Sequence, residues 1–474
     1  MNNRSDFSRI EEDFLGTKSI ADDCYYGIQT LRAVENFPIT GINIGQAQSL
    51  IKAFAQVKKA AAQANRVLEV LDAAKADAII AACDDIIGGG LADQFPVDMV
   101  QGGAGTSTNM NFNEVIANRA LEILGHKKGD YALIHPNNHV NCSQSTNDVY
   151  PTALRIALYQ EINFYIEDLR HLVHAFAEKG REFGDVLKMG RTQLQDAVPM
   201  LLSDEFAAFA ITLEEDIKRL EEARDLVKEV NLGATAIGTR INAPEDYADL
   251  AVNYLAEITG IPLVLSFNLI EATSDTGAYV QISGVMKRNA IKLSKICNDL
   301  RLLSSGPRAG LNEINLPKLQ PGSSIMPGKV NPVIPEVVNQ IAYQVIGGDM
   351  TISMASEAGQ LQLNVMEPII AFNLFQNLKM MARGCRVLSE KCVQGISVNR
   401  ERCREMVEHS IGIVTALNPI LGYELCSSIA KEALNKGVSV RDVVLEHKYL
   451  SKAKLDEILS AENLRNPRFI NDKD

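Results

Sequence analysis

Apolar residues in the middle of the chain recur at helical spacing over four long stretches. The first stretch places six of them, three or four residues apart, on the helix face that would meet a partner helix. These six are Leu158, Ile162, Tyr165, Leu169, Leu172 and Phe176. The second stretch runs from Phe206 to Val227 and the third covers about 276–303. The fourth starts near Asn331-Pro332, which resembles an N-cap and first-turn pair, and continues past residue 370.

Helices of about 30 residues would be about 45 Å long, and the alternating pattern of strands is nearly missing. The pattern therefore predicts an all-α protein built around a bundle of long helices. Residues 1–141 mix shorter helical patterns with Gly-rich and polar segments, and residues 398–474 hold short helices and a polar tail. We expect three domains: an N-terminal domain (1–141), a central long-helix domain (142–397) and a small C-terminal helical domain (398–474).

Charge and composition exclude several classes of partner. The chain has 47 Lys and Arg against 59 Asp and Glu, for a net charge of −12, which repels nucleic acid and anionic lipid. It has no Trp and only 6% aromatic residues, too few for a base-stacking surface. There is no apolar run long enough to span a membrane and no signal-like N-terminus. We therefore expect no nucleic-acid or membrane partner.

Cysteine and histidine spacing changes this picture little. The eight cysteines are scattered without a C-x-x-C pair, which indicates reduced thiols in a cytoplasmic protein. The seven histidines are also scattered, and no spacing typical of a metal site accompanies them. We expect neither a metal site nor an organic cofactor, while activation by Mg²⁺ cannot be read from the sequence.

Small polar residues are concentrated in four stretches where the helical patterns break, at 102–114, 135–151, 190–199 and 322–332. In the second stretch, Ser145–Asp148 precede the first long helix. They could cap that helix, form an anion site with its free N–H groups, or do both. The last stretch fails as a phosphate loop, because five residues separate its glycines and Val330 follows Lys329. It is instead a Gly-bounded loop, of a kind that can close over an active site.

Neutral hydroxyl and amide donors combined with one Lys suit the binding of a small dicarboxylate. They also suit a reaction that spreads extra negative charge over a carboxylate, as proton abstraction beside it does. The stretches show no nucleophile elbow, dinucleotide fingerprint or metal cluster. Residue chemistry alone therefore leaves proton abstraction with elimination as one hypothesis among others.

The same stretches carry a resemblance to a known family. GSSIMPGKVNP (322–332) resembles the signature of the fumarase/aspartase superfamily. GTSTNMNFNEVIANRA (105–120), QSTNDVYPT (144–152), GRTQLQDAVP (190–199) and LNPILGYE (417–424) are similar to its other landmarks, in the same order. The resemblance implies an all-α, three-domain subunit. It also implies a homotetramer in which each active site is assembled from three subunits.

The resemblance also implies roles for individual residues. Ser323 corresponds to the catalytic base that removes the β-carbon proton, and its alkoxide would need loop N–H groups and the Lys329 cation for stabilisation. Glu336 matches a glutamate that pairs with a histidine in fumarases. The implied substrate-binding residues form three groups. Those for the β-carboxylate and its aci form are Thr106, Ser145, Thr146 and Ser324; those for the α-carboxylate are Thr192, Lys329 and Asn331; Asn147 would lie near the amino group.

Two positions favour the aspartase branch over the fumarase branch. Fumarases typically have Gln-Ser where this chain has Ser107-Thr108, and His where it has Gln193. Expelling hydroxide from malate needs an acid, whereas the ammonium group of L-aspartate already carries its proton, so a non-titrating Gln193 is tolerated there. The resemblance thus implies reversible elimination of ammonia from L-aspartate to give fumarate. The alternatives are a fumarate hydratase and a catalytically silent structural homologue. Arg240, where the family usually has Gly, makes substrate affinity an open point.

Overall fold

The computed structural model describes residues 8–465, and most of these residues lie in α-helices. In chain order the helices are α1 (Ile28–Asn36), α2 (Gln48–Val67), α3 (Ala73–Ile87), α4 (Thr106–Ile123), α5 (Thr146–Glu182), α6 (Leu202–Asp225), α7 (Tyr247–Thr259), α8 (Leu269–Ser274), α9 (Gly277–Leu303), α10 (Val333–Glu357), α11 (Glu367–Lys391), α12 (Arg400–His409), α13 (Asn418–Leu421), α14 (Tyr423–Lys436), α15 (Val440–Glu446), α16 (Lys452–Ile458) and α17 (Ala461–Arg465). The predicted all-α class is confirmed.

The first three apolar stretches are confirmed as the long helices α5, α6 and α9. All six residues of the first stretch are buried. They face neighbouring helices as the spacing predicts: the Tyr165 hydroxyl donates to Asn289 Oδ1 of α9, and the Phe176 ring lies 5.6 Å from that of Phe209 in α6. Burial of this face against other helices is what stabilises helices of such length.

The fourth stretch is not one helix, as predicted, but two, α10 and α11. Asn364 supports both ends of the break. Its Nδ2 donates to the Ala355 and Ser356 carbonyls in the last turn of α10, both at 3.1 Å. Its Oδ1 accepts from the Met366 N–H at 2.8 Å, just before α11. Because these contacts satisfy backbone groups that a helix end leaves free, the chain can stop and restart inside an apolar segment.

The N-cap predicted for this stretch is also wrong in detail. Helix α10 begins at Val333, and the Asn331 side chain does not cap it. Asn331 Nδ2 donates instead to the Gly322 carbonyl, at 2.9 Å. The asparagine therefore closes the preceding loop.

Eight short strands form four two-stranded pairs that the apolar pattern did not reveal. They are β1 (Ser8–Asp13) with β2 (Gly16–Ala21), β3 (Leu187–Thr192) with β4 (Gln195–Leu201), β5 (Glu229–Val230) with β6 (Val264–Leu265), and β7 (Ile314–Asn315) with β8 (Ser397–Val398). Only the β5–β6 pair is parallel. The β3–β4 hairpin occupies the third polar stretch, directly before α6.

The described chain divides into two compact units, each made of three segments. The first comprises residues up to 166, 218–290 and 343–382, and the second comprises 167–217, 291–342 and 383 onward. The second unit holds a C-terminal core that includes Leu417, Ile429, Val443 and Leu455. The three-domain division at residues 141 and 397 stays a prediction.

Two further expectations concern thiols and membranes. All eight cysteines are free thiols. In the described residues 8–465, no helix combines the length and apolar character needed to cross a membrane.

Candidate active site

The first polar stretch places Thr106 at the start of α4. Gly103, Ala104 and Gly105 precede it with consecutive positive φ angles of 87°, 55° and 87°. A Cβ on Gly105 would lie 2.2 Å from the Tyr150 ring, so only glycine allows this turn to pack against α5. The turn leaves Thr106 exposed at the helix N-terminus, where free N–H groups and the helix dipole favour an anion.

The second stretch caps α5, as one of the two interpretations predicted. The Asn147 N–H donates to Ser145 Oγ at 3.3 Å, and the Ser145 N–H donates to Asp148 Oδ1 at 3.0 Å. Thr146 is buried, and its Oγ1 accepts from Asn109 Nδ2 at 3.2 Å. Since Asn109 lies one turn beyond Thr106 in α4, this bond ties the first two stretches together.

Asp148 ties the second stretch to the segment that follows β5. Its Oδ2 accepts the backbone N–H groups of Gly233 and Thr235 at 3.0 and 2.9 Å. Burial raises the pKa of this carboxyl to about 7. Asn147 reaches the same segment, because its Nδ2 donates to the Ala236 carbonyl at 2.7 Å. The Asn147 amide is therefore held in one orientation.

The unusual Arg240 follows this anchoring segment. Its φ is 59°, in the left-handed region where glycine is favoured, and its guanidinium donates to the Glu245 carbonyl at 3.3 Å. The conformation explains why glycine suits the position. The guanidinium is engaged with the backbone of its own segment.

The third stretch presents Thr192 and Gln193 at the tip of the β3–β4 hairpin. Gln193 and Leu194 have φ angles of 54° and 61°, typical of the two-residue turn that suits twisted hairpins. Both Thr192 and Gln193 are exposed. The turn thus directs two polar side chains outward from the end of a rigid element.

A buried ion-pair network holds the base of this hairpin. Glu313 is fully buried and lies 3.0 Å from Lys188 Nζ and 2.6 Å from Arg191, both in β3. Lys188 also lies 2.7 Å from Glu205 in the first turn of α6. Because Arg191 directly precedes Thr192, the network fixes the strand that carries the hairpin tip.

The fourth stretch is an exposed loop closed by a narrow neck. The Gly322 N–H donates to the Lys329 carbonyl at 2.7 Å, and Asn331 binds the Gly322 carbonyl as described above. Within the loop, Ser323 Oγ accepts the N–H groups of Ile325 and Met326 at 3.2 and 3.0 Å. Two backbone N–H groups therefore converge on the Ser323 oxygen, an arrangement that would favour negative charge there.

Ser323 and Lys329 also line one cavity of about 440 Å³ beneath the loop. A neighbouring cavity of about 600 Å³ is lined by Lys329, Asn331 and Glu336. Ser324 and Lys329 are exposed, while Ser323, Asn331 and Glu336 are half-buried. In the second unit, the candidate residues Ser323, Lys329, Asn331 and Glu336 therefore line two neighbouring cavities.

Three of the candidate hydroxyls act as hydrogen-bond acceptors for N–H groups. Ser145 Oγ, Thr146 Oγ1 and Ser323 Oγ each accept at least one N–H. Their hydroxyl hydrogens are thus left to be donated, since a hydroxyl has one hydrogen and two lone pairs. Hydroxyls in this state can bind a carboxylate or, at Ser323, release a proton into a site prepared for negative charge. The structure places Thr106 and 145–147 in the first unit, and 192–193, Ser323, Ser324, Lys329, Asn331 and Glu336 in the second.

Sequence reasoning missed Lys58, a buried polar residue that donates to Asn141 and Gln144 of the second stretch. Lys58 had a readable signal: Phe54, Lys58, Ala61 and Asn65 recur at heptad spacing in α2, and all four are buried. A lysine on the apolar face of an Ala-rich helix needs a specific partner.

One carboxylate–histidine group elsewhere has the ligand types of a metal centre. Glu432, Glu446 and His447 place possible ligand atoms within 4.8 Å of one another. Lys436 Nζ, however, lies 2.7 Å from Glu432 and 3.2 Å from Glu446. A cation therefore already neutralises the two carboxylates.

Known proteins resemble this chain over most of its length. Residues 16–347 match a family model described as lyase, and residues 413–466 match one described as fumarase C C-terminus. An aspartate ammonia-lyase of Helicobacter pylori is 58% identical over 459 residues, 97% of this chain and 98% of the relative. The aspartate ammonia-lyase of Pseudomonas aeruginosa is 59% identical over 98% of both chains. That of Escherichia coli is 56% identical over 97% of both chains.

Solved structures also resemble this chain over nearly its full length. A fumarate lyase:delta crystallin of Brucella melitensis, bound to cobalt, superposes with a TM-score of 0.95 and 57% identity, covering 97% of this chain and 100% of that one. A class II fumarase of Schistosoma mansoni gives a TM-score of 0.92 at 33% identity, covering 98% of this chain and all of its own.

Proposed function

The chain belongs to the lyase family whose model it matches, and on that premise we propose that it converts L-aspartate reversibly into fumarate and ammonia. The observation that carries this proposal is the 56–59% identity, over nearly the full length, to relatives named aspartate ammonia-lyase. Identity to the fumarase of known structure is 33%. Gln193, at the position where fumarases have histidine, supports the same choice.

In the proposed mechanism, Ser323 removes a proton from the β-carbon of L-aspartate. The electron pair of the C–H bond moves into the β-carboxylate and gives a dianionic aci-carboxylate. The N–H groups of Ile325 and Met326 stabilise the serine oxygen as it becomes a base, which is consistent with their 3.2 and 3.0 Å contacts. The pair then forms the carbon–carbon double bond and the C–N bond breaks.

Substrate binding is divided among three groups of residues. Thr106, Ser145, Thr146 and Ser324 bind the β-carboxylate, and the free hydroxyl hydrogens of Ser145 and Thr146 support this assignment. Thr192, Lys329 and Asn331 bind the α-carboxylate, and Asn147 and Gln193 lie toward the amino group. The amine is already protonated, so it leaves as neutral ammonia without an acid at Gln193. Glu336 has a supporting role.

The reaction as proposed uses no organic cofactor, because protein groups supply both the base and the charge stabilisation. Removing divalent ions by dialysis against a chelator is expected to leave turnover of L-aspartate largely intact. A complete loss that Mg²⁺ restores would show instead that a metal ion takes part.

The active protein is proposed to be a homotetramer whose active sites combine residues of three subunits. An exposed apolar stripe on α10 supports association: Tyr343, Ile346, Met350 and Met354 are 59%, 36%, 63% and 66% exposed. They follow one another at helical spacing, and a Cβ added at Gly347 beside them would meet nothing within 4 Å. Such a stripe suits close packing against a helix of a second copy. Light scattering on the purified protein measures the state directly.

We also propose a cytoplasmic location, which the free thiols of all eight cysteines support.

The deciding experiment compares L-aspartate and L-malate in parallel, following the ultraviolet absorbance of fumarate. Fumarate formed from aspartate alone supports the proposal. Fumarate formed from malate alone would make the protein a hydratase and would show that Gln193 misleads. A folded tetramer that acts on neither substrate would favour a catalytically silent homologue.

A further inference from the structure

Lys58 lies beneath the second polar stretch and has no assigned role. It belongs to α2 and is fully buried. Its Nζ donates to Asn141 Oδ1 and to Gln144 Oε1, both at 2.9 Å. Among the described residues Lys58 forms no ion pair, so its hydrogen-bond partners are neutral amides. A buried cation held only by amides is unusual, because an unpaired charge is costly to bury.

The surrounding hydrogen bonds fix both amides with their oxygens toward Lys58. Asn141 Nδ2 donates to the Gln144 carbonyl at 3.2 Å. Gln144 Nε2 donates to the carbonyls of Val140 and Cys142 at 3.0 and 2.9 Å. Because both NH₂ groups are engaged with carbonyls, the oxygens that remain are acceptors. Two acceptors directed at one Nζ favour the charged ammonium form.

Two titratable groups, Asp148 and Cys83, define the electrostatic surroundings of Lys58. Burial lowers the pKa of Lys58 to about 7, and the nearby Asp148 acts in the opposite direction. Burial raises the pKa of Asp148 to about 7. Cys83, in α3, also faces Lys58, but burial raises its thiol pKa so strongly that it stays neutral. An added negative charge nearby would hold Lys58 in its charged form.

A short chain of hydrogen bonds connects Lys58 to the proposed β-carboxylate donors. Asn141 Oδ1, which accepts from Lys58, also accepts from Asn109 Nδ2 at 3.1 Å. The same Asn109 group donates to Thr146 Oγ1 at 3.2 Å. Lys58 is thus linked through two asparagines to a hydroxyl whose hydrogen is free to bind an anion.

We propose that Lys58 is a positioning residue whose buried positive charge stabilises the aci-carboxylate, and whose hydrogen bond to Asn141 helps to hold Asn109 and Thr146 in place. The inference rests on the proposed function, since it concerns the charge that develops on the β-carboxylate. Because Lys58 and Asn109 both donate to Asn141 Oδ1, the charge acts through its electric field, which a low-dielectric interior weakens less than water does. The stabilisation that Lys58 gives therefore increases as the carboxylate gains its second negative charge. An interaction of this kind, stronger in the transition state than with the bound substrate, accelerates the chemical step.

The test compares two dianions that differ in the negative charge on their terminal oxygens. Succinate resembles the ground-state dicarboxylate. The nitronate form of 3-nitropropionate has the same net charge, but both oxygens of its planar nitronate group are formally negative, as in the aci-carboxylate. Inhibition constants for both compounds are measured with the wild type, Lys58→Met and Lys59→Met. Lys59 is the matched control: it is the next residue in α2, and it pairs with Asp84 at the surface.

For Lys58→Met we expect nitronate affinity and kcat to fall about 10- to 100-fold, while succinate affinity changes less than about threefold. Lys59→Met should match the wild type in both. A general loss of structure would weaken the two inhibitors equally. Lys58→Met that keeps the wild-type preference for nitronate would overturn the inference.

A second variant covers the case in which Lys58→Met does not fold. Lys58→Gln keeps a donor for one amide but carries no charge, and it should lose the nitronate preference as well. If Lys58→Gln retains the wild-type preference, the positive charge has no role and the inference fails. A wild type that neither turns over L-aspartate nor prefers nitronate would instead refute the proposed function.

Discussion

The neck of the 322–332 loop provides the sharpest test of how this protein positions its proposed base. Replacing Gly322 with alanine would place a Cβ 2.9 Å from the Asn331 backbone nitrogen and 2.9 Å from the Lys329 carbonyl oxygen. Both are backbone atoms, so relief requires a movement of the chain. The movement would separate the groups that close the neck, which are the Gly322 N–H with the Lys329 carbonyl and Asn331 Nδ2 with the Gly322 carbonyl.

The expected magnitude follows from these two hydrogen bonds. Each contributes about 0.5–1.5 kcal/mol net, so losing both costs about 1–3 kcal/mol. At about 1.4 kcal/mol per tenfold, the productive loop geometry becomes about 5- to 150-fold rarer. We expect Gly322→Ala to lower kcat/KM for L-aspartate about 10- to 100-fold. The melting temperature should hardly change, because the loop is exposed and contributes little to the core.

Gly328→Ala is the matched comparison in the same loop. Gly328 has a φ of 83° and nothing within 4 Å of an added Cβ. The substitution therefore adds backbone strain of about 1–2 kcal/mol without crowding the neck. It should lower kcat/KM less than Gly322→Ala does. A Gly322→Ala protein with wild-type kcat/KM, or one whose loss is matched by an equal fall in stability, would refute the reasoning.

Three further changes are predicted from the same structure. Ser323→Ala should lower kcat at least about 10³-fold and leave succinate binding nearly unchanged in a competition assay; retained turnover would remove Ser323 as the base. Glu313→Gln should reduce stability by about 3–5 kcal/mol in denaturant unfolding, because it removes the buried carboxylate that pairs with Arg191 and leaves Lys188 with Glu205 alone. Glu205→Gln, at the edge of the same network, should cost about 1 kcal/mol or less. Burial raises the pKa of Glu367 to about 8, so the folded state keeps a proton that the unfolded chain has already released, and stability falls as pH rises toward that value and then levels off. Glu367→Gln should therefore gain at least about 1 kcal/mol on the wild type between about pH 6 and about pH 9, and parallel stability curves would contradict this.

The long helices could be predicted because the information is local. The six apolar residues from Leu158 to Phe176 mark one face by spacing alone, and that face is buried. The break between α10 and α11 could not be predicted in the same way. Apolar residues continue across it, and the helix ends depend on Asn364, whose partners lie on both sides of the break. Gly359 and Pro368 were the available signals, and they gave no indication of which backbone groups Asn364 would satisfy.

The β3–β4 hairpin was missed for a related reason. Its turn requires left-handed conformations at Gln193 and Leu194, which neither residue signals. The strand it follows is held by Glu313, more than a hundred positions later in the chain. Sequence reading identified Thr192 and Gln193 as candidates, while their exposure at a hairpin tip became visible only in the folded chain.

What the sequence determined by itself was the helical class, the polar stretches and the residue types available for chemistry. These follow from periodicity and from side-chain properties that do not depend on distant contacts. Tertiary structure decided how those residues are supported: Lys58 beneath Thr146, Asp148 against Gly233 and Thr235, and Glu313 under the hairpin. The reason is physical: whether a charge is buried, and which amide meets it, depends on packing between segments far apart in the chain.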